Sequence, residues 1–228
     1  MDKEKRIQGI LDEYDQKRLL YKDYLNSLTS IITLLLEKED FHPQSVLGRV
    51  KDRESLKKKL QGEELKGCKK TTQVTDIVGL RVLVYTWNEA RVLAEKIQLW
   101  FGSTNKIRKP DPEYPAFNLR LRLDKTRAQL PEYEKFKEIP FEIQVTTVLS
   151  HSWIEQTHDV IYKKNSEKLG EVSPQSLEYI QTEYIRVKEE LISPAQDKLD
   201  LLSDLTKDSI HKNKPFLPLA INKIARSH

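Results

Sequence analysis

The chain has 228 residues, of which 38% are hydrophobic and 32% charged, and its formal net charge is +4 at pH 7. Apolar residues suffice for a core, while only seven glycines argue against a turn-rich all-β sandwich. The single cysteine, Cys68, excludes an internal disulfide and a thiolate zinc cage. The longest apolar run, residues 31–36, falls well short of the about 20 residues that span a bilayer. We therefore expect a soluble, cytoplasmic protein with no membrane partner.

Hydrophobic periodicity predicts the elements of the first half of the chain. They are, in order, a helix over residues 2–40, a short lysine-rich helix over 55–60, a strand over 76–85 and a helix over 88–101. The strand is assigned because β-branched and aliphatic residues dominate it. Pro43 ends the first helix, because proline lacks the amide hydrogen that a helix needs.

The second half is predicted to contain two amphipathic strands and two helices. They are strand 117–123, strand 141–146, helix 149–163 and a long charged helix over 174–205, which Pro194 is placed to interrupt. Strands that alternate with helices around a mixed sheet indicate an α/β (α+β) fold with helical flanks. We divide the chain into an N-terminal helical segment (1–40), a core (41–170) and a C-terminal helical extension and tail (171–228).

Two carboxylates are candidates for a metal site. Asp76 stands at the start of one predicted strand, and Glu142 stands near the beginning of another. Carboxylates on neighbouring strands can share one Mg²⁺, which takes one or two carboxylates together with substrate phosphates. Taken alone, a capping position for Asp76 and a solvent-facing position for Glu142 are the commoner explanations.

Basic residues near the second helix are candidates for phosphate binding. Ser55 and Lys59 share a helix face, and Arg49 and Lys51 precede that helix. Such a basic wall suits a triphosphate, although a lysine-rich helix face is more often simply solvated. Since no glycine-rich phosphate loop is present, side chains would have to hold the phosphates of any bound nucleotide.

Arg81 follows Asp76 by five residues, which in an unbulged strand places the two on opposite faces. A bulge near Gly79 would alter that relation. An arginine here can stack on a nucleobase. His151 and His158 are too far apart on one helical stripe to bind one metal, so a structural histidine is the simpler interpretation.

The combination of these motifs resembles the synthetase domain of the RelA/SpoT family, and most closely its small alarmone synthetases. The resemblance covers roughly residues 20–165 and is carried by four segments, residues 49–59, 76–82, 142–147 and 151–163. It implies transfer of pyrophosphate from ATP to the 3′-hydroxyl of GDP or GTP, with AMP leaving. Such a reaction depends on positioning and charge stabilisation.

The resemblance also implies roles for individual residues. Asp76 and Glu142 would hold Mg²⁺, and Glu142 would be the base for the 3′-hydroxyl. Arg49 and Arg81 would sandwich the adenine, while Lys51, Ser55 and Lys59 would hold the ATP phosphates. The residues implied near the acceptor nucleotide are Gln144, His151, Tyr114, Asn118 and Lys106.

The acceptor side departs from the family pattern. The usual Gly-Tyr-x-Ser-x-His loop corresponds here to residues 113–118, in which Glu113, Ala116 and Asn118 replace glycine, serine and histidine. Tyr114 is retained and can stack on a base. Thr146 and Thr157 also replace a basic residue and a glutamate that are usual in the family.

Three functions therefore remain open. The first is an alarmone synthetase, and the second is a related transferase whose acceptor is the 3′-end of tRNA or an adenine nucleotide. The basic residues Lys106, Arg108 and Lys109 would suit a polyanion or the 5′-phosphates of GDP. The third is a catalytically silent nucleotide-binding or interaction module. The terminal helices suggest a homo-oligomer, and the tail from Ser209 is a candidate contact for an antitoxin or another partner.

Overall fold

The computed structural model of the protein describes residues 3–103, 107, 110, 114–157 and 173–212. Several residues of the sequence predictions lie outside these ranges: Lys106, Arg108, Lys109, Glu113, His158 and the tail beyond residue 212.

A four-stranded mixed sheet forms the centre of the protein. Its strands are β1 (Ser45–Val50), β2 (Val78–Val84), β3 (Phe117–Leu121) and β4 (Phe141–Thr147), arranged in the order β1-β2-β4-β3. β2 and β4 are parallel, and the two outer strands pair antiparallel to them. The sheet and its flanking helices confirm the predicted α+β class.

Six α-helices are described around the sheet. They are α1 (Lys3–Lys38), α2 (Arg53–Gln61), α3 (Trp87–Trp100), α4 (Val148–Thr157), α5 (Pro174–Val187) and α6 (Ser193–Lys212). A π-helical turn, Lys188–Ile192, joins α5 to α6 directly before Pro194. The regular α-helix is thus interrupted at Lys188–Ile192, shortly before Pro194, which is the second residue of α6 and lacks an amide hydrogen for the helical hydrogen-bond ladder. None of the described helices is long and apolar enough to cross a membrane.

Helices α1 and α3 cover one face of the sheet, and this layer contains the core. Tyr24 of α1 stacks on Phe136 with ring centroids 4.5 Å apart and meets Phe141 of β4 edge-on. Gly48 lets α1 approach β1 closely, since a Cβ at this position would lie 2.9 Å from Leu25 Cδ1. Alternation along the strands sends the other side chains to the opposite, open face.

The sequence predictions for this sheet missed one strand and misplaced one residue. Strand β1 was not predicted, since its six residues include Gly48 and Arg49 and lack a continuous apolar pattern. Asp76 does not lie in a strand, because β2 begins only at Val78 and a turn precedes it. The register of β2 with β4 is continuous from Val78 to Val84, so no bulge occurs at Gly79.

The buried hydroxyl of Tyr24 yields a stability prediction. Within the described part of the chain this hydroxyl has no hydrogen-bond partner, and burial raises the pKa of Tyr24. An unsatisfied buried hydroxyl costs about 1 kcal/mol or more, so we expect Tyr24→Phe to increase the free energy of unfolding in urea. Tyr14 is the matched control, because its hydroxyl donates to the Lys51 carbonyl at 2.6 Å. Tyr14→Phe should lower stability, and equal effects of the two changes would contradict the argument.

Candidate active site

Two rows of side chains cross the open face of the sheet. The strand registers align Arg49, Gly79, Glu142 and Arg120 in the first row, here called the Glu142 row. They align Leu47, Arg81, Gln144 and Asn118 in the second, here called the Arg81 row. Cross-strand partners lie about 5 Å apart on the same face, so each row is a continuous strip of side chains.

A cavity of about 240 Å³ lies over these rows. It is lined by six of the residues singled out in the sequence: Arg49, Asp76, Arg81, Glu142, Gln144 and His151. The turn before β2 brings Asp76 to the same cavity as Arg81. Strand alternation does not separate the two residues, because Asp76 precedes the first residue of the strand.

Asp76 is held by two lysines. Its Oδ2 atom accepts hydrogen bonds from Lys51 Nζ at 3.0 Å and from Lys59 Nζ at 2.9 Å, and its side chain is 14% exposed. Burial by itself would raise the pKa of Asp76, but the charges and hydrogen bonds of the two lysines outweigh it and lower this pKa. The carboxylate is therefore ionised at neutral pH.

The second oxygen of Asp76 indicates a ligand. Oδ1 is buried and has no hydrogen-bond partner within the described residues, which is costly for a carboxylate oxygen. Hard, oxygen-seeking Mg²⁺ fits such an atom, particularly with Glu142 lining the same cavity. The described residues contain no group of three or more side chains suited to binding a metal. A metal here would depend on these two carboxylates.

Ser55 is placed differently from the other predicted phosphate-binding residues. Its amide donates to Asp52 Oδ1 at 2.8 Å, which caps the N-terminus of α2. Hydrogen bonds from the Ser55 side chain and amide lower the pKa of Asp52. Ser55, Lys51 and Lys59 are all absent from the lining of the cavity, but the two lysines contact its Asp76, whereas Ser55 contacts Asp52.

Arg81 is the centre of a polar network. Its Nε and Nη2 donate to Gln144 Oε1 at 3.0 and 2.8 Å, and Nη2 also donates to the Tyr114 hydroxyl at 2.6 Å. Its Nη1 donates to Glu155 Oε1 at 2.6 Å and to His151 Nδ1 at 2.9 Å. A guanidinium has five N–H donors, and these five contacts occupy its edges. What these contacts leave for a flat ligand such as a nucleobase is the part of the group that faces the cavity.

His151 acts as a hydrogen-bond acceptor in this network. Burial and the charge of Arg81 lower the pKa of His151, so the ring is neutral at pH 7. Because Nδ1 accepts the hydrogen bond from Arg81, the ring proton is on Nε2. Nε2–H is thus the donor that His151 can offer to a ligand.

Glu142 is positioned by one neighbour in its own strand and one across the sheet. Gln144 Nε2 donates to Glu142 Oε1 at 2.9 Å, and Arg120 Nε lies 3.6 Å from Glu142 Oε2. Arg120 was not among the residues predicted from the sequence. The alternating pattern of β3 contained the signal, because it places Arg120 on the same face as Asn118.

The altered acceptor loop is only partly described. Tyr114 is half-buried against Arg81, whereas Asn118 Nδ2 makes a 3.4 Å contact with its neighbouring carbonyl of Ala116. The two threonines that depart from the family pattern are buried and serve the fold. Thr146 Oγ1 donates to the Pro115 carbonyl, and Thr157 Oγ1 donates to the Trp153 carbonyl.

A family model described as the region found in RelA / SpoT proteins matches residues 48–167, a little over half of the chain. The chain belongs to the RelA/SpoT family. The matched residues include the Glu142 row, all of the Arg81 row except Leu47, Asp76 and the Arg81 network, so the resemblance inferred from the motifs is confirmed. No curated protein sequence matches the chain.

Solved structures of small alarmone synthetase 1 from Bacillus subtilis have the same fold. The first is 18% identical, with a TM-score of 0.66, and the match covers 86% of this chain and 99% of the other. A structure described as bound to its product pppGpp is 20% identical (TM-score 0.61; 83% and 97% covered). One described as bound to AMPCPP is 17% identical (TM-score 0.61; 86% and 98% covered). The family and fold are those of the synthetase class that the sequence resembles.

The Arg81 network yields a binding prediction for this RelA/SpoT-family protein. Arg81→Lys replaces five fixed donors and a flat face with a point charge, so a stacked adenine would lose its platform. We expect ATP affinity, measured by titration calorimetry, to fall about 2- to 30-fold. Arg91→Lys is the control, because Arg91 is an exposed residue of α3 paired with Glu95. Unchanged ATP affinity in Arg81→Lys would show that this arginine does not contact the donor base.

Proposed function

We propose that the protein is an alarmone synthetase that transfers pyrophosphate from ATP to the 3′-hydroxyl of GDP or GTP. The observation that carries the proposal is one cavity bordered by Asp76 and Glu142, with an unsatisfied Asp76 oxygen beside Lys51 and Lys59. Family membership and the ligands named for the two related structures, AMPCPP and pppGpp, support the same function.

The donor nucleotide is assigned to the β1–β2 side of the cavity. Both Arg49 and Arg81 lie there: Arg49 pairs with Gly79 across the strands, and Arg81 follows Gly79 by two residues on the same face of β2. Because Gly79 has no side chain, β2 places no group between the two arginines. We assign the adenine to this space. The polyphosphate then extends towards Lys51 and Lys59. Their ammonium groups, which contact Asp76 in the free protein, would contact phosphate oxygens instead. When bound by Asp76 and Glu142, Mg²⁺ supplies further neutralisation of phosphate charge.

The acceptor nucleotide is assigned to the β4–β3 side. Tyr114 offers a ring face for the base, and Gln144, His151 and Asn118 offer hydrogen bonds. The 3′-oxygen of the acceptor forms a bond to the β-phosphorus of ATP, and Glu142 accepts the proton that this hydroxyl loses. The bond between that phosphorus and the α–β bridging oxygen breaks, and AMP leaves with the bridging oxygen. Fixed positions of the two nucleotides provide the in-line geometry.

We further propose that the protein self-associates through its C-terminal helices. The fully described helix α5 buries no residue, although Tyr179 and Ile185 are apolar and largely exposed. Apolar side chains that remain exposed as a contiguous patch are typical of an interface. Light scattering of the full chain tests this, and a monomer at high protein concentration would contradict it.

The function is tested by AMP release. The full chain is incubated with γ-labelled ATP and Mg²⁺, and GDP, GTP, AMP, ADP or deacylated tRNA is offered separately as acceptor. The γ-label accompanies the transferred pyrophosphate, so a labelled guanosine product together with AMP is the expected result. Label on tRNA or on an adenosine product would instead identify a transferase with a different acceptor. ATP binding without AMP release from any acceptor would favour the silent module.

A further inference from the structure

Arg120 occupies the end of the Glu142 row, on the edge strand β3. Its side chain is 58% exposed. Its carboxylate partners are Glu142 Oε2 at 3.6 Å and Glu64 Oε1 at 3.8 Å. Both distances exceed the 2.7–3.2 Å of a normal N–H···O hydrogen bond. The guanidinium of Arg120 therefore has charge partners nearby without strong hydrogen bonds to them.

The two arginines of the open face differ in what they can offer a ligand. Arg81 is 13% exposed, and its five donors are taken at 2.6–3.0 Å, so only the part of the group that faces the cavity remains. Arg120 keeps its donor edge, which matches the oxygens of a phosphate in a forked geometry. The former suits a base, whereas the latter suits a phosphate group.

Arg120 lines a second, open cavity of about 590 Å³. Lys125 and Arg122 also line it, as does Thr75, which precedes Asp76 in the chain. Its one lining carboxylate within the described residues, Asp124, is bound by Arg127 and by backbone amides. Arg122 donates to the carbonyls of Glu138 and Thr72. The charge that remains for a ligand is thus positive.

We infer that Arg120 is a specificity-determining residue that binds a phosphate group of the acceptor, at the mouth of the cavity it shares with Lys125. This inference rests on the proposed function. In the Glu142 row, Arg49 lies on the donor side of Glu142 and Arg120 lies on the other. A phosphate bound at Arg120 thereby holds the acceptor on the side of Glu142 that is opposite to the donor. The 3′-hydroxyl of the acceptor then lies between Arg120 and the donor, next to Glu142. The phosphate is a 5′-phosphate of a nucleotide or a backbone phosphate at an RNA end.

Binding measurements without ATP test the assignment, because no turnover can occur. Arg120→Gln removes both the charge and the paired N–H donors of the guanidinium, whereas Arg120→Lys keeps the charge alone. Arg91→Gln is the control, because it removes an arginine of similar exposure elsewhere on the surface. We expect Arg120→Gln to weaken GDP and GTP binding about 10-fold or more, with a smaller loss in Arg120→Lys. Guanosine and ATP should bind as they do to the wild type, and Arg91→Gln should have no effect.

Deacylated tRNA is the second arm of the same experiment. If RNA supplies the phosphate, Arg120→Gln weakens tRNA binding, while GDP binding is unchanged. The slope of the logarithm of tRNA affinity against the logarithm of salt concentration should then fall by about 1. Equal weakening of guanosine and GDP would assign Arg120 a merely structural role and overturn the inference. The inference would also be overturned if Arg120→Gln bound every phosphorylated acceptor as tightly as the wild type does. The same holds if the wild type bound none of these acceptors. AMP release judges the proposed function independently, since a wild type that binds GDP but releases no AMP contradicts that function alone.

Discussion

Glu142→Gln is expected to reduce AMP release by a factor of about 10²–10⁴, the usual contribution of a positioned acid or base. The substitution preserves the shape of the side chain, and its amide oxygen still accepts the hydrogen bond that Gln144 Nε2 donates. Only the charge and the basicity are lost. ATP binding measured without Mg²⁺ should be weakened far less than turnover, because the proposed contacts with the adenine and the phosphates come from residues other than Glu142.

The measurement is the steady-state rate of AMP release with GDP as acceptor, together with a urea unfolding curve. Glu138→Gln is the control, since Glu138 is an exposed glutamate three residues before the same strand. A Glu142→Gln enzyme that turns over at the wild-type rate would refute the assignment of this carboxylate as base. A loss of activity accompanied by unfolding would show instead that Glu142 is needed for the fold.

Asp76→Asn should have the largest effect on stability. The neutral amide leaves Lys51 and Lys59 close together without the carboxylate that both contact, and the lysine side chains are only 12% and 22% exposed. Breaking a buried charge pair costs about 3 kcal/mol, so the free energy of unfolding at pH 7 should fall by roughly that amount. AMP release should be lost as well, because one of the two candidate metal ligands is removed.

The pH dependence of stability provides the control for Asp76. Its pKa is lower in the folded protein than the ordinary value of about 3.9 in an unfolded chain. The stabilisation is therefore fully present above about pH 5 and is lost as the pH falls through the folded pKa. Wild-type urea midpoints should decline in this acidic range, and the decline should be shallower in Asp76→Asn. Identical pH profiles of the two proteins would contradict the lysine–carboxylate arrangement.

The local patterns of the sequence were sufficient for most secondary structure. Strand β4 alternates so regularly that Glu142 and Gln144 fall on one face by periodicity alone, and the same holds for Asn118 and Arg120 in β3. Strand β1 escaped prediction because a short edge strand that contains Gly48 and Arg49 carries little apolar signal. Its place is decided by pairing with β2, which is distant along the chain.

The candidate site was predicted as a set of residues but not as an arrangement. The motif resemblance named Asp76, Lys51 and Lys59, yet nothing local states that both lysines contact one oxygen of that aspartate. Those contacts join residues 25 and 17 positions apart in the chain. They exist because β1 and α2 pack beside the turn that carries Asp76.

What the sequence by itself determined is therefore the family, the mixed α+β class and the identity of the polar residues, since periodicity and motif spacing are local properties. Only the tertiary structure decided which atoms meet. It turned Asp76 towards the same cavity as Arg81, and it occupied all five donors of Arg81 with side chains from β4, α4 and the acceptor loop. It also placed Arg120 beside Glu142. The physical reason is that hydrogen bonds and ion pairs between distant segments depend on strand order and register, which no single stretch of the chain encodes.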